Sequence, residues 1–138
     1  MRLINKDALR ITGLSGDGTK TGRVWQDFTR LHQAKPFPKA DENGYEIRFH
    51  KSRATGKTPA PEKSVHVGFA TRESDPVDGF HTLLLPACDY AVFDVFVAKG
   101  YDSGNAEMEQ WLADNAAVWR MLEVDGVECV VECYSHLI

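Results

Sequence analysis

The stretch "EVDGVECVVECYSHLI", Glu123–Ile138, decides how the chain is read. Asp125-Gly126 stands between two apolar runs, and such a pair marks a tight two-residue hairpin because both turn residues need positive φ. It is expected to join strands at Val118–Val124 and Val127–Leu137. Along the second strand the odd positions Val127, Cys129, Val131, Cys133 and Leu137 are apolar. The even positions read Glu128, Val130, Glu132, Tyr134 and His136. Successive side chains on a strand point to opposite faces, so Glu132 and Tyr134 share one. The apolar odd set is expected to face the helices. Glu132 and Tyr134 then lie on the opposite face, which is either solvent or a pocket.

Working outward, an opening strand at Ala8–Leu14 leads through "SGDGTKTG" into a helix at Arg23–Ala34. Val24, Trp25, Phe28 and Leu31 recur there at helical spacing. "KPFPKADENG" ends that helix with two prolines and a glycine. Strands follow at Tyr45–Lys51 and Ser64–Glu73, joined by "SRATGKTPAPE", a polar loop expected to be mobile. In the second half, "FHTLLL" and "YAVFDVFVA" read as strands. Asn105 is expected to cap a helix with Glu107 and Glu109 in its first turn and Met108, Trp111 and Leu112 on one stripe. Strand–helix–strand–strand thus occurs twice. The expectation is a single domain, 1–138, with halves of about 1–75 and 76–138. It is an α+β fold of duplicated βαββ repeats with pseudo-two-fold symmetry, an antiparallel sheet and helices on one face.

Composition narrows the function classes. The net charge of −4 argues against general nucleic-acid binding, which needs an excess of Lys and Arg. The charge is unevenly spread: residues 1–63 carry 13 basic and 7 acidic side chains, a balance of +6, and residues 64–138 carry 3 and 13, a balance of −10. No apolar run approaches membrane-spanning length and no signal-peptide pattern opens the chain. Three cysteines, Cys88, Cys129 and Cys133, suit a reduced, cytoplasmic setting.

Several chemical motifs fail on inspection. "GLSGDGTKT" spaces Gly13 and Gly18 like a P-loop, but Thr19 stands where the phosphate-reaching Lys is required. The same segment misses a Gly-x-Ser-x-Gly elbow because Asp17 occupies the last position. Cys133 and His136 point to opposite faces of a strand, so a tetrahedral zinc site does not form from them. The cysteines read as buried small hydrophobes. Neither a metal nor a cofactor is expected. What survives is Glu132 with the aromatics Trp25, Phe49, Tyr90, Phe93, Trp119 and Tyr134. Either Glu132 is solvated on an open face and the aromatics are core, or an aromatic-lined cavity offers a cation both an acid and ring faces.

The chain resembles the GyrI-like small-molecule-binding domains, also found as effector-binding domains of AraC- and MerR-type multidrug-responsive regulators. The likeness is carried by "SVHVGFA", "LPACDYAVFDV", "EQWLAD" and "VECYSHLI", in order along the whole chain. It implies a groove between the two halves that binds bulky hydrophobic compounds, often cationic. In that likeness Glu132 is the floor acid, and Tyr134 and Tyr90 belong to the same motifs. Trp25, Phe49 and Trp119 are added as pocket walls from the residue pattern alone. One departure is Pro86-Ala87-Cys88, where the family has Pro-Ala-Gly. The chain has no room for a helix-turn-helix pair, so a stand-alone ligand-binding protein is expected, without direct contact to nucleic acid or membrane. The family also contains hydrolases of cyclopropane-bearing compounds, for which Glu132 would be general base and Tyr134 would position the electrophile. Another branch inhibits DNA gyrase, which would make the role one of protein interaction.

Overall fold

The computed structural model describes residues 1–72, 74, 76–95, 97–100 and 104–135. Its strands are β1 (Arg2–Lys6), β2 (Leu9–Gly16), β3 (Gly44–Phe49), β4 (Val65–Thr71), β5 (His81–Leu85), β6 (Cys88–Val92), β7 (Leu122–Val124) and β8 (Val127–Tyr134); its helices are α1 (Thr21–Ala34) and α2 (Asn105–Asp114). Two compact units emerge. The larger takes residues 8–86 together with the strands from Leu122 onward, and the smaller takes 1–7 and 87–121. The larger unit therefore gathers strands from both sequence halves.

In the larger unit six strands form one antiparallel sheet in the order β5-β2-β4-β3-β8-β7. The sheet is strongly curled. Its inner face packs Ile11, Tyr45, Ile47 and Ala70 with Leu83 and Leu85 of one edge strand and Val124 of the other, all in one cluster. Gly13 and Gly68 face each other across β2 and β4. A Cβ on Gly13 would strike the Val67 carbonyl, and one on Gly68 would strike that of Thr12. Only glycine lets two backbones approach so closely.

α1 lies on the outer face. Its Val24 and Phe28 pack with Val65 and Val67 of β4 and with Phe37 from the segment after the helix. Phe28 is fully buried, with the rings of Phe69 and Phe80 edge-on at 5.0 and 5.9 Å. The segment "SGDGTKTG" winds into a short 3-10 turn before α1. Asp17 caps it by accepting the Thr19 N–H at 2.8 Å, and the Gly18 N–H donates to Ser64 Oγ at 2.8 Å. Of its three glycines only Gly18 lies in that turn; Gly16 ends β2 and Gly22 is in the first turn of α1.

Strand parity on β8 holds, but its assignment to the helices is reversed. β8 pairs with β3 so that Glu132 faces Glu46 and Val130 faces Arg48. Glu46 in turn faces Val67, a residue packed under α1. Directly opposed residues share a face. Glu132 and Tyr134 are therefore on the same face as α1, and the odd residues Val127 to Cys133 face inward or away from it. The apolar set covers itself by curling, so it needs no helix. His136 and Leu137 lie outside the described residues.

Other expectations shift in detail. The Asp125-Gly126 hairpin is present with φ of 53° and 79°, and Val124 pairs with Val127. The strand before it is only Leu122–Val124; Val118 is 85% exposed, and the Val118 and Trp119 N–H groups both donate to the Asn115 carbonyl. β1 was not foreseen. The run "YAVFDVFVA" is extended only through Val92, and a 3-10 turn occupies Val97–Lys99. Asn105 is the first residue of α2 rather than its cap; Gly104 holds that position without a side-chain bond. The loop "SRATGKTPAPE" is built around a buried Ser52, whose N–H meets the Lys57 carbonyl at 2.9 Å, and the Arg53 N–H donates to Glu128 Oε1 at 3.0 Å. Cys129 is buried, its thiol pushed up to about 12 by that burial, whereas Cys133 is exposed.

The smaller unit holds the two-stranded antiparallel sheet β1-β6, with Ile4 opposite Tyr90, and α2. Asn5 Nδ2 donates to Asp89 Oδ1 at 2.7 Å across that sheet. Among the described residues no helix is long and apolar enough to cross a membrane.

Candidate functional site

Strand β3, "GYEIRF", alternates between two environments. Tyr45, Ile47 and Phe49 point inward, while Glu46 and Arg48 point to the face that carries α1. A helix over that face would ordinarily demand apolar partners. Instead, the first turns of α1 supply polar ones. Trp25 Nε1 donates to Glu46 Oε1 at 2.8 Å, and Arg48 Nη2 donates to Thr21 Oγ1 at 2.9 Å. Trp25 and Thr21 are four residues apart and so lie one above the other on the helix. Arg48 Nε completes the set with a 2.8 Å bond to Glu46 Oε2. Glu46 is only 4% exposed, yet each of its oxygens has a donor and one of these is a guanidinium. This is how a buried carboxylate is made tolerable.

Glu132 stands directly opposite, on β8. Its Oε2 accepts the Tyr134 hydroxyl at 2.6 Å, and its Oε1 is 3.9 Å from Arg48 Nε, an ion-pair distance without a direct hydrogen bond. Its side chain is 35% exposed. Burial pushes the Glu132 carboxyl above the usual carboxylate range; the Tyr134 hydroxyl opposes that shift, and hydrogen bonding with Glu46 and its charge add to it. The Tyr134 phenol is raised in turn, first by burial and then by the neighbouring acid. Two carboxyls thus share one guanidinium. Like charges directly opposite on adjacent strands repel, which disfavours ionisation of both carboxyls together.

The structure brings together three of the expected site residues, Glu132, Tyr134 and Trp25. Trp25 also walls an open concavity of about 390 Å³ with Gln26, Thr29, Arg30 and Gln33. Phe49 is not a wall of this site. It packs against the inner-face core with Ile47 and Cys129, because odd residues of β3 point away from Glu46. Tyr90 and Trp119 belong to the smaller unit, where Tyr90 pairs with Ile4 and the Trp119 ring meets that of Trp111 at 5.0 Å. Glu46 and Arg48 were missed. The signal was available: in "YEIRFHK" the two charges alternate with Tyr, Ile and Phe, the same parity that singled out Glu132.

A second polar group, also missed, lies on the inner face. His66 is fully buried, with Nε2 3.0 Å from the Ile11 carbonyl and Nδ1 3.0 Å from Ser15 Oγ. A carbonyl only accepts, so Nε2 carries the proton and Nδ1 accepts from Ser15. Burial lowers this imidazole to about 4, which keeps it neutral as a pin between β2 and β4.

No protein-family model matches the chain, and no curated protein matches it.

Proposed function

We propose that the chain is a small-molecule-binding protein of the effector-binding type, and that the face around Glu132 takes a hydrophobic, aromatic cation. The observation that carries this reading is the half-exposed Glu132 opposite Glu46, with one Arg48 guanidinium between two carboxyls. A cation gains there from an acid left without a full partner and from the adjoining Trp25 and Tyr134 rings. The likeness to GyrI-like domains points the same way, since its floor acid falls on Glu132.

The duplicated βαββ scheme with pseudo-two-fold symmetry belongs to this reading. The chain order β2-α1-β3-β4 and, after β5, β6-α2-β7-β8 supports it. In it, Glu46 and Glu132 stand on either side of the seam where a strand of the first half meets one of the second.

The test is quenching of Trp fluorescence by a rhodamine cation. Binding is expected, and Glu132→Gln is expected to weaken it at least about tenfold, the equivalent of about 1.4 kcal/mol. Equal affinity in the variant would remove Glu132 from the site, and no binding of any apolar cation would sink the reading. The Glu132 carboxyl is raised by burial, the direction in which a carboxylate becomes a stronger general base, which keeps hydrolysis of a reactive small molecule as the second reading. Product formation that disappears in Glu132→Gln would favour it over stoichiometric binding.

A further inference from the structure

The segment "GLSGD" lacks the last glycine of a nucleophile elbow, yet its serine has a base within reach. Ser15 pairs with His66 across β2 and β4, and its hydroxyl lies 3.0 Å from Nδ1. His66 is fully buried and cannot turn away, because its Nε2–H is held by the Ile11 carbonyl at 3.0 Å. Nδ1 is thereby left as the acceptor, with Ser15 as its donor. Serine, imidazole and an orienting oxygen stand in the order that activates a hydroxyl, with a main-chain carbonyl in place of the usual acid. The titratable group facing His66 is His81 of β5, edge-on at 5.7 Å. Ile11 and Ser15 of β2 and Ile47 of β3, which also face it, do not titrate.

Ser15 itself is exposed. β5 runs beside β2 only from Leu9 to Gly13, so that edge of β2 is open from Leu14 onward among the described residues. Here Ser15 lines a cavity of about 190 Å³ with Asp17, Lys20, Arg23 and Asp27. The acids are engaged away from it. Asp17 Oδ1 accepts from the Thr19 N–H and hydroxyl at 2.8 and 2.7 Å, and Asp27 lies 3.9 Å from Arg30. Lys20 and Arg23 are left to receive an anion.

We propose that Ser15 is a nucleophile, with His66 as its general base, toward esters that carry an anionic group on the acyl chain. Lys20 and Arg23 hold the anion. Ser15 Oγ bonds to the acyl carbon as its proton passes to His66 Nδ1. The bond from that carbon to the leaving alcohol breaks, and the proton departs with the alcohol. Water then adds to acyl-Ser15 and gives a proton to Nδ1, which returns it to Ser15 Oγ as the acid leaves. One ester and one water become one acid and one alcohol, and Nε2 keeps its proton throughout. This site shares no residue with the face around Glu132, so it stands or falls separately from the cation reading.

The test compares cleavage of mono-para-nitrophenyl succinate with that of para-nitrophenyl butyrate and adds labelling by a fluorophosphonate. The succinate ester is expected to be cleaved at least about tenfold faster, a preference that Lys20→Ala and Arg23→Ala reduce. His66→Gln is expected to lower kcat about a hundredfold or more with KM little changed, because Gln cannot take the proton. Burial lowers the imidazole to about 4, so the rate is expected to stay level from about pH 8 to about pH 5, where an ordinary histidine gains its charge. The fluorophosphonate is expected to label Ser15, and the label to vanish in Ser15→Ala. Cleavage that persists in Ser15→Ala, or a fluorophosphonate that leaves Ser15 unmarked, overturns the nucleophile. Equal rates for the two esters overturn the substrate class.

Discussion

The two faces of strand β3 contrast within six residues. Inward, Tyr45 and Ile47 are at most 3% exposed and join a core closed by the curl of the sheet. Outward, Glu46 is just as buried at 4% but sits in a chain of polar bonds that reaches α1 on one side and β8 on the other. The inner face contributes stability through apolar burial. The outer face spends some of it to hold two acids together. Such a place, where local chemistry conflicts with packing, is where function is expected.

That contrast can be broken most directly at Ile47. Truncation to Ala removes a fully buried side chain from a closed core, at a cost of about 2–5 kcal/mol. Chemical denaturation of Ile47→Ala should show that loss with an unchanged dependence on denaturant. Phe49→Ala, on the same inward parity, should destabilise while leaving the dye affinity of the folded protein unaltered.

His66 is the polar exception on the apolar face and gives the next largest effect. Its imidazole is neutral in the fold and titrates near 4 instead of 6.5. The folded state therefore resists a proton that the unfolded chain accepts. The associated stability is fully present above pH 6.5 and is lost as pH falls from 6.5 toward about 4, to a total of about 3 kcal/mol. Because Glu132 works in the opposite sense, the comparison must be a difference between variants. His66→Gln keeps a donor and an acceptor but does not titrate, so its stability should fall less over that window than that of the natural protein. Equal slopes would mean that His66 is solvated.

How much of this was legible follows from where the information sits. The hairpin at Asp125-Gly126 and the helix over Val24 and Phe28 were readable because turn chemistry and helical spacing are local. The pairing of Glu132 with Tyr134 on one face was readable from period-two alternation. Which face that was could not be read, because it depends on β8 pairing with β3 of the other half as well as with β7 of its own. An apolar alternation says that a face is buried, not whether a helix or the sheet's own curl buries it. The same pairing hid Glu46 and Arg48, which look like surface charges until β8 is set beside them. Phe49 was misjudged because an aromatic side chain looks the same as core or wall, and only its odd position on β3 separates the two.

The smallest effect concerns Glu132, and its sign is the informative part. A carboxyl raised above its ordinary value favours the fold when protonated and loses that contribution as pH rises through its folded value. Above pH 4.5 the acid opposite Glu46 is a net burden, whether it ionises or takes up a proton on folding, and a neutral amide of the same shape removes it. Glu132→Gln is therefore expected to unfold at a slightly higher temperature than the natural protein near pH 7. The gain should shrink as pH falls and vanish below 4.5, where both chains are neutral at this position. The size should stay well below that of Ile47→Ala, since the Glu132 side chain is 35% exposed and water screens part of the repulsion. A variant that is more stable without ligand but weaker with a cation would tie the strain to binding. A variant less stable at every pH would instead make Glu132 a structural partner of Tyr134 and Arg48.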